Sequence, residues 1–185
     1  MNKRREIRLS GSGGQGILLA GIILAEAALL EGKNAVQSQS YGPEARGGAS
    51  RSEVIISDEN IDYPKVTKPE IVLALTTEAY RKYGQGLTAG TVLVVDDSIQ
   101  LDDQLPAGVN VVRAPILRAA SETLKRSIVA NIVALGVLVG STQIVQRESL
   151  EQAVLNRVPR GTEDLNRQAL SLGFQLAADA VNGNR

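Results

Sequence analysis

The chain has 185 residues, 43% of them hydrophobic, which is enough for one domain with a substantial buried core. Its 20 basic residues balance 20 acidic ones, so no net field draws it to nucleic acid or to an anionic membrane, and its partners must be recognised locally. The absence of cysteine and histidine excludes disulfides, thiolate-held iron–sulfur clusters, the common zinc sites and imidazole acid–base chemistry.

The basic start, Met1 to Glu6, leads into a short strand over Ile7 to Ser10 and does not resemble a secretory signal, so a cytoplasmic location is expected. Glycines 11, 13, 14 and 16 then turn the chain into a helix from about Gly14 to Leu30, which Gly32 ends. Its apolar run, Ile17 to Leu30, is interrupted by Glu26 and is too short to span a membrane, so it reads as a buried helix. Asn34 to Ser40 alternates weakly and is expected as a second strand, followed by a loop over Tyr41 to Gly48 and a third strand over Ser52 to Ser57. Ile71 to Leu75 and Thr91 to Val95 are continuous apolar runs of strand length, the pattern of strands covered on both faces, with a short helix between them over Thr77 to Tyr83. Asn110 to Ala114 adds a strand that Pro115 closes. Helices are expected over Ile116 to Lys125, Ile128 to Val139, Arg147 to Asn156 and Thr162 to Val181, the last packing on the body through Leu165, Ala169, Leu172 and Leu176. Strands alternating with helices, strand first, predict a single α/β domain over 1–185: a Rossmann-like open, mostly parallel sheet with helices on both faces and a helical C-terminal region.

The turn Gly11-Ser12-Gly13-Gly14-Gln15-Gly16 carries the first chemical signal. Backbone N–H groups at a helix start, aided by the helix dipole, favour an anion, and glycines let a diphosphate approach the backbone. The same spacing also serves turns that only pack helix against strand, so the motif by itself leaves both readings open. A dinucleotide site would place an acid for the ribose about 20 residues further on. Val36, Gln37, Ser38, Gln39 and Ser40 stand there instead, which disfavours NAD. No Lys-Ser or Lys-Thr follows Gly16, which excludes a Walker-type ATPase loop.

The second signal is Tyr41-Gly42-Pro43-Glu44-Ala45-Arg46-Gly47-Gly48, with Arg51 just beyond. Glycines permit close approach, Pro43 fixes one φ, and Arg46 offers a planar donor fork suited to carboxylate or phosphate, while a simple Glu44–Arg46 surface pair is the plainer alternative. The residues at 11–16, at 39–48 and at Ser52-Glu53-Val54-Ile55-Ile56-Ser57 together resemble the gamma subunit of 2-oxoacid:ferredoxin oxidoreductases. The likeness extends over essentially the whole chain, including Asp62-Tyr63-Pro64 and Ala130-Asn131-Ile132-Val133-Ala134-Leu135-Gly136. Within that family the loop resembles the 2-oxoglutarate type, with indolepyruvate oxidoreductase a near alternative and a freestanding nucleotide- or coenzyme A-binding module the alternative outside it.

The resemblance implies a multisubunit enzyme that decarboxylates a 2-oxoacid on thiamine diphosphate, passes electrons through iron–sulfur clusters to ferredoxin and transfers the acyl group to coenzyme A. It places thiamine diphosphate, Mg and the clusters on partner chains: catalytic alpha and beta subunits and a ferredoxin-like iron–sulfur subunit. This chain is then an accessory subunit with no catalytic residue of its own. Its expected binding residues, toward the phosphates of coenzyme A or the entrance of the site, are Gly11, Ser12, Gly13, Gly14, Gln15, Gly16, Tyr41, Arg46, Gly47, Gly48 and Arg51, with a scaffolding role for both loops against a partner as the equal alternative. Two acid doublets, Asp96-Asp97 and Asp102-Asp103, read as solvated loop acids rather than metal ligands. Asn131, alone in an apolar helix, needs a hydrogen-bonding partner and reads as a structural or interface residue. Tyr63, Tyr80 and Tyr83 read as core or interface edges.

Overall fold

The computed structural model describes residues 4–41, 48–102 and 104–183, without the side chains of 40, 41, 182 and 183. Six strands, β1 (Arg5–Ser12), β2 (Asn34–Tyr41), β3 (Ala49–Ser57), β4 (Ile71–Ala74), β5 (Val92–Asp96) and β6 (Asn110–Ala114), form one sheet in the order β2-β3-β1-β4-β5-β6. The pairs β1–β4, β4–β5 and β5–β6 are parallel, whereas β3 runs antiparallel to both β1 and β2. The helices are α1 (Ile17–Leu30), α2 (Thr77–Tyr83), α3 (Ile116–Arg118), α4 (Ala130–Thr142), α5 (Arg147–Arg157) and α6 (Glu163–Gly183).

Side-chain alternation divides the core into two layers. Ile7, Leu9, Val54, Ile56, Ile71, Leu73, Val94 and Val112 pack under α1, α4, α5 and α6, while Val72, Ala74, Leu93 and Val95 pack on the other face with Tyr80 of α2 and Ile99. The continuous apolar runs of β4 and β5 reflect this double cover. β1 is apolar on one face only: Arg8 faces the α2 side, where its Nε donates to Glu53 Oε1 at 2.8 Å and its Nη1 to the Tyr83 carbonyl at 3.3 Å. The pairing Arg5↔Ile56 through Ser12↔Ala49 extends β1 and β3 beyond the apolar runs that marked them in the sequence. Among the described residues, no helix is long and apolar enough to cross a membrane.

α4 is the central helix, with every residue from Ala130 to Val139 buried. It meets α6 backbone to backbone at Gly136 and Gly173, where a Cβ on Gly136 would lie 2.7 Å from the Leu170 carbonyl oxygen and 2.9 Å from Gly173 Cα. That contact turns α6 about its axis. Its buried line runs through Asn166, Ala169, Leu170, Gly173 and Ala177, while the expected Leu165, Leu172 and Leu176 flank the line as partly buried residues.

Two further expectations are corrected. The helix expected over Ile116 to Lys125 ends two residues early: α3 continues as a wider π-helical stretch over Ala119–Thr123, Lys125 adopts φ 55, and a tight turn over Ser127–Val129 restarts the chain into α4. Asp96 is not a solvated loop acid but 1% exposed. Its Oδ1 accepts from the Ser98 N–H at 3.1 Å, and its Oδ2 accepts from the Leu117 N–H at 2.8 Å, so the carboxylate satisfies the start of α3. Asp97 pairs with Arg118 at 2.7 Å, Asp102 accepts from the Tyr80 hydroxyl at 3.1 Å, and Asp103 lies outside the described residues. Burial, then the Asp102 carboxylate, raises the Tyr80 pKa.

Candidate functional site

The glycine turn leaves the carboxyl end of β1, next to β4, where strand order reverses and open α/β sheets place their ligands. The Gly13 N–H donates to the Gly48 carbonyl at 2.9 Å, which hangs the turn on the start of β3. Gln15 folds back on Ser12: its Oε1 accepts the Ser12 N–H at 2.7 Å and its own N–H donates to the Ser12 carbonyl at 3.1 Å. Gly14 and Gly16 take φ 89 and φ 72, a region that L side chains rarely enter, so the turn favours glycine at both. Because Gly16 is left-handed it caps α1 rather than extending it, and the helix starts at Ile17, three residues after the Gly14 start expected from the sequence.

A Cβ on Gly16 would stand 2.5 Å from Asn131 Nδ2. Asn131 is 4% exposed, donates that amide to the Gly16 carbonyl at 3.2 Å, and accepts the Ile132 N–H on Oδ1 at 3.0 Å. One buried side chain thus ties the start of α4 to the start of α1. Neither helix has a side-chain cap at its N-cap residue or an acid in its first turn, so both positive dipole ends face the same region unneutralised.

Beside this junction lies a cleft of about 660 Å³, lined by Gly13, Gly14, Gln15, Arg118, Ser121 and Ser127, with Glu122 and Ile128 also on its wall. A more apolar hollow of about 360 Å³ adjoins it across Gly14 and Ile128, lined by Leu19, Val129, Ile132, Val158 and Leu165. Ile128 stands 81% exposed between the two. Backbone amides, two serine hydroxyls, a guanidinium and two helix starts can hold a phosphate or diphosphate. Glu122 on the wall opposes them, and Asp97, paired with Arg118 at 2.7 Å, shares the guanidinium. Among the described residues no group of three or more Asp or Glu is placed to hold a metal ion.

Of the expected site residues, Gly11 to Gly16 come together with Gly48 as one turn. Arg51 lies elsewhere: it pairs in register with Ser10, and its Cζ lies 5.2 Å from the Tyr83 ring centre with Nη1 3.8 Å from Glu53 Oε1, on the α2 face and away from the cleft. The side chain of Tyr41, and Arg46 and Gly47 entire, lie outside the described residues. Arg118, Ser121 and Ser127 were not expected. Arg118 and Ser121 sit in the stretch read as one helix and Ser127 in the gap after it, and no pattern marks them; Asn131 did carry a signal, as a lone amide in an apolar run.

The sequence profile described as pyruvate ferredoxin/flavodoxin oxidoreductase matches residues 6–176. The chain is 54% identical to a 2-oxoglutarate synthase subunit, KorC, of Methanocaldococcus jannaschii, over 97% of this chain and all of that one. It is 51% identical to the keto/oxoacid ferredoxin oxidoreductase gamma subunit of Geobacter sulfurreducens, whose crystal structure superposes with a TM-score of 0.83 over 96% of this chain and 98% of that one. The 2-oxoglutarate:ferredoxin oxidoreductase of Magnetococcus marinus shares the fold at 24% identity, with a TM-score of 0.85 over 96% of this chain and 31% of that longer one. The chain therefore belongs to the pyruvate ferredoxin/flavodoxin oxidoreductase family, as one of its gamma-type subunits.

Proposed function

We propose that the chain, acting as one domain over 1–185, is the accessory subunit of a complex that converts 2-oxoglutarate to its coenzyme A thioester and reduces ferredoxin. The observation that carries its own part in this is the convergence of two unneutralised helix starts on the glycine turn. The choice of 2-oxoglutarate rests on its 54% identical relative.

The residues present do not fit an iron–sulfur cluster, because the chain has no thiol to ligate iron. They give no clustered carboxylates for the Mg ion of thiamine diphosphate among the described residues. The thiamine diphosphate, Mg and clusters are assigned to catalytic alpha and beta subunits and a ferredoxin-like subunit. Coenzyme A fits better. Its phosphates suit the Gly14 amide and the start of α1 with Ser121, Ser127 and Arg118, and the coenzyme supplies the thiol that accepts the acyl group. In this reading the chain binds and orients the coenzyme by its anionic end, while the reacting atoms belong to the partners.

The test is the reconstituted complex, assayed for ferredoxin reduction against each substrate in turn. Gly14→Asp adds a carboxylate where nothing lies within 4 Å of a new Cβ and where aspartate tolerates the left-handed backbone better than most residues. The KM for coenzyme A should rise about tenfold, equivalent to about 1.4 kcal/mol, with the KM for 2-oxoglutarate unchanged. An unchanged coenzyme A KM removes the binding assignment, and a complex that prefers pyruvate removes the substrate assignment.

A further inference from the structure

The two edges of the sheet are finished differently. β6 is five residues long, is followed by Pro115, and carries Arg113, whose Nη1 reaches back over the edge to the carbonyls of Asp97 at 3.0 Å and Ile99 at 2.9 Å. A short strand, a proline and a basic side chain are the usual protections against pairing with another chain. β2 has none of them. It is eight residues long, reads Asn34-Ala35-Val36-Gln37-Ser38-Gln39-Ser40-Tyr41 with no charge and no proline, and among the described residues pairs only with β3.

The helix above that edge is unfinished in the same direction. α1 is apolar nearly all round, the composition of a helix with no solvent face. Gly21 packs on Ser52 and Gln37 of the sheet, and Glu26 reaches the other way to Asn156 at 2.9 Å and Arg157 at 2.5 Å on α5. At 100° per residue, Leu18, Ile22 and Leu29 then point out past β2. None of the three is fully buried, and Leu29 is 56% exposed. An open strand edge and an apolar stripe thus form one continuous strip.

We propose that this strip is an isologous contact with a second copy of the chain, β2 running antiparallel to β2 of the other copy about a two-fold axis. In that arrangement a neutral backbone edge meets a neutral backbone edge and an apolar stripe meets its own image, the self-complementarity that a two-fold contact requires. The nearest charges do not oppose it: Glu26 is paired with Arg157, and Glu31 with Lys33 at 2.8 Å. Eight strand residues span about 26 Å, and with a helix of about 10 Å stacked on the sheet the strip is about 15 Å deep. That flat footprint, on the order of 400 Å² per copy, is about half that of a standard interface. The contact is therefore a weak one, concentration-dependent in the isolated chain.

The absence of cysteine makes the test clean. In antiparallel self-pairing only the residue nearest the axis meets its own copy, so Asn34→Cys, Val36→Cys and Ser38→Cys are oxidised one at a time, in the purified full chain and in the assembled complex. Asn110→Cys on β6 is the control. A β2-to-β2 crosslink that peaks at one position and falls two residues away, absent at 110, is the expected result. Leu29→Lys should raise the dimer dissociation constant at least tenfold in sedimentation equilibrium with the far-ultraviolet spectrum unchanged. No self-crosslink in either sample overturns the proposal, and so does a β2 crosslink to a different polypeptide.

Discussion

The helix starts of this molecule fall into two groups. Those of α2, α3, α5 and α6 are served by side-chain oxygens: Thr76 Oγ1 accepts the Ala79 N–H, Asp96 accepts Leu117, Glu31 Oε1 accepts Gln146 at 2.5 Å, and Glu163 and Asp164 open α6. Those of α1 and α4 have neither a capping N-cap side chain nor a first-turn acid, and they are the pair that meets at the glycine turn. The first group is neutralised by side chains within the fold, whereas the second has only Asn131, which takes the Ile132 N–H and carries no charge to offset the dipoles.

Breaking the second group should cost most. Gly16→Ala forces an L residue to φ 72 and drives its Cβ into Asn131, so a loss of about 3 kcal/mol is expected, read as a lower urea midpoint with unchanged slope. Asn131→Leu removes the amide between the helices and strands the Ile132 N–H, for a loss of about 2 kcal/mol, and should also raise the coenzyme A KM in the complex. Ser127→Asp, in the cleft wall, should weaken anion binding several-fold with no change in thermal midpoint. In the first group, Thr76→Ala should cost about 1 kcal/mol and leave every KM untouched. Were Thr76→Ala to move the coenzyme A KM as much as Asn131→Leu does, the contrast would fail.

Acid sharpens the same contrast. Burial pushes the Glu31 carboxyl up, but Lys33 and the Gln146 N–H outweigh it and hold its pKa below the usual carboxylate range. Glu6 behaves alike, with burial overcome by the N–H groups of Lys68 and Thr67 and by Arg4. A carboxylate whose pKa is lowered on folding stabilises the native state above its unfolded value of about 4.3, and that contribution is lost as pH falls through the lower folded value. Stability should therefore decline below about pH 4.3, and Glu6→Gln should shallow the decline in acid titrations followed by circular dichroism.

Much of this was legible in the sequence. The bounds of α2 and β6 agree with their sequence reading residue for residue, because the apolar runs flanking α2 and the proline that stops β6 are local signals. The antiparallel place of β3 between β2 and β1 was not legible, since an apolar run reads the same in either direction. Nor was the widening after α3, where Ala, Ser, Glu and Leu all favour or tolerate a regular α-helix but the Leu124 N–H bonds five residues back to the Ala119 carbonyl.

The sequence alone determined the strand–turn–helix unit and the absence of any thiol or imidazole from the chain's chemistry. Those follow from residue chemistry and short-range periodicity. Only the tertiary structure decided which cations and helix starts share the cleft: it put Arg51 on the far face, brought Arg118 to the near one, and joined Gly16 to an asparagine 115 residues away. Such meetings depend on sheet order and on the glycine contact that sets α4 against α6, and neither is written in any local window of the chain.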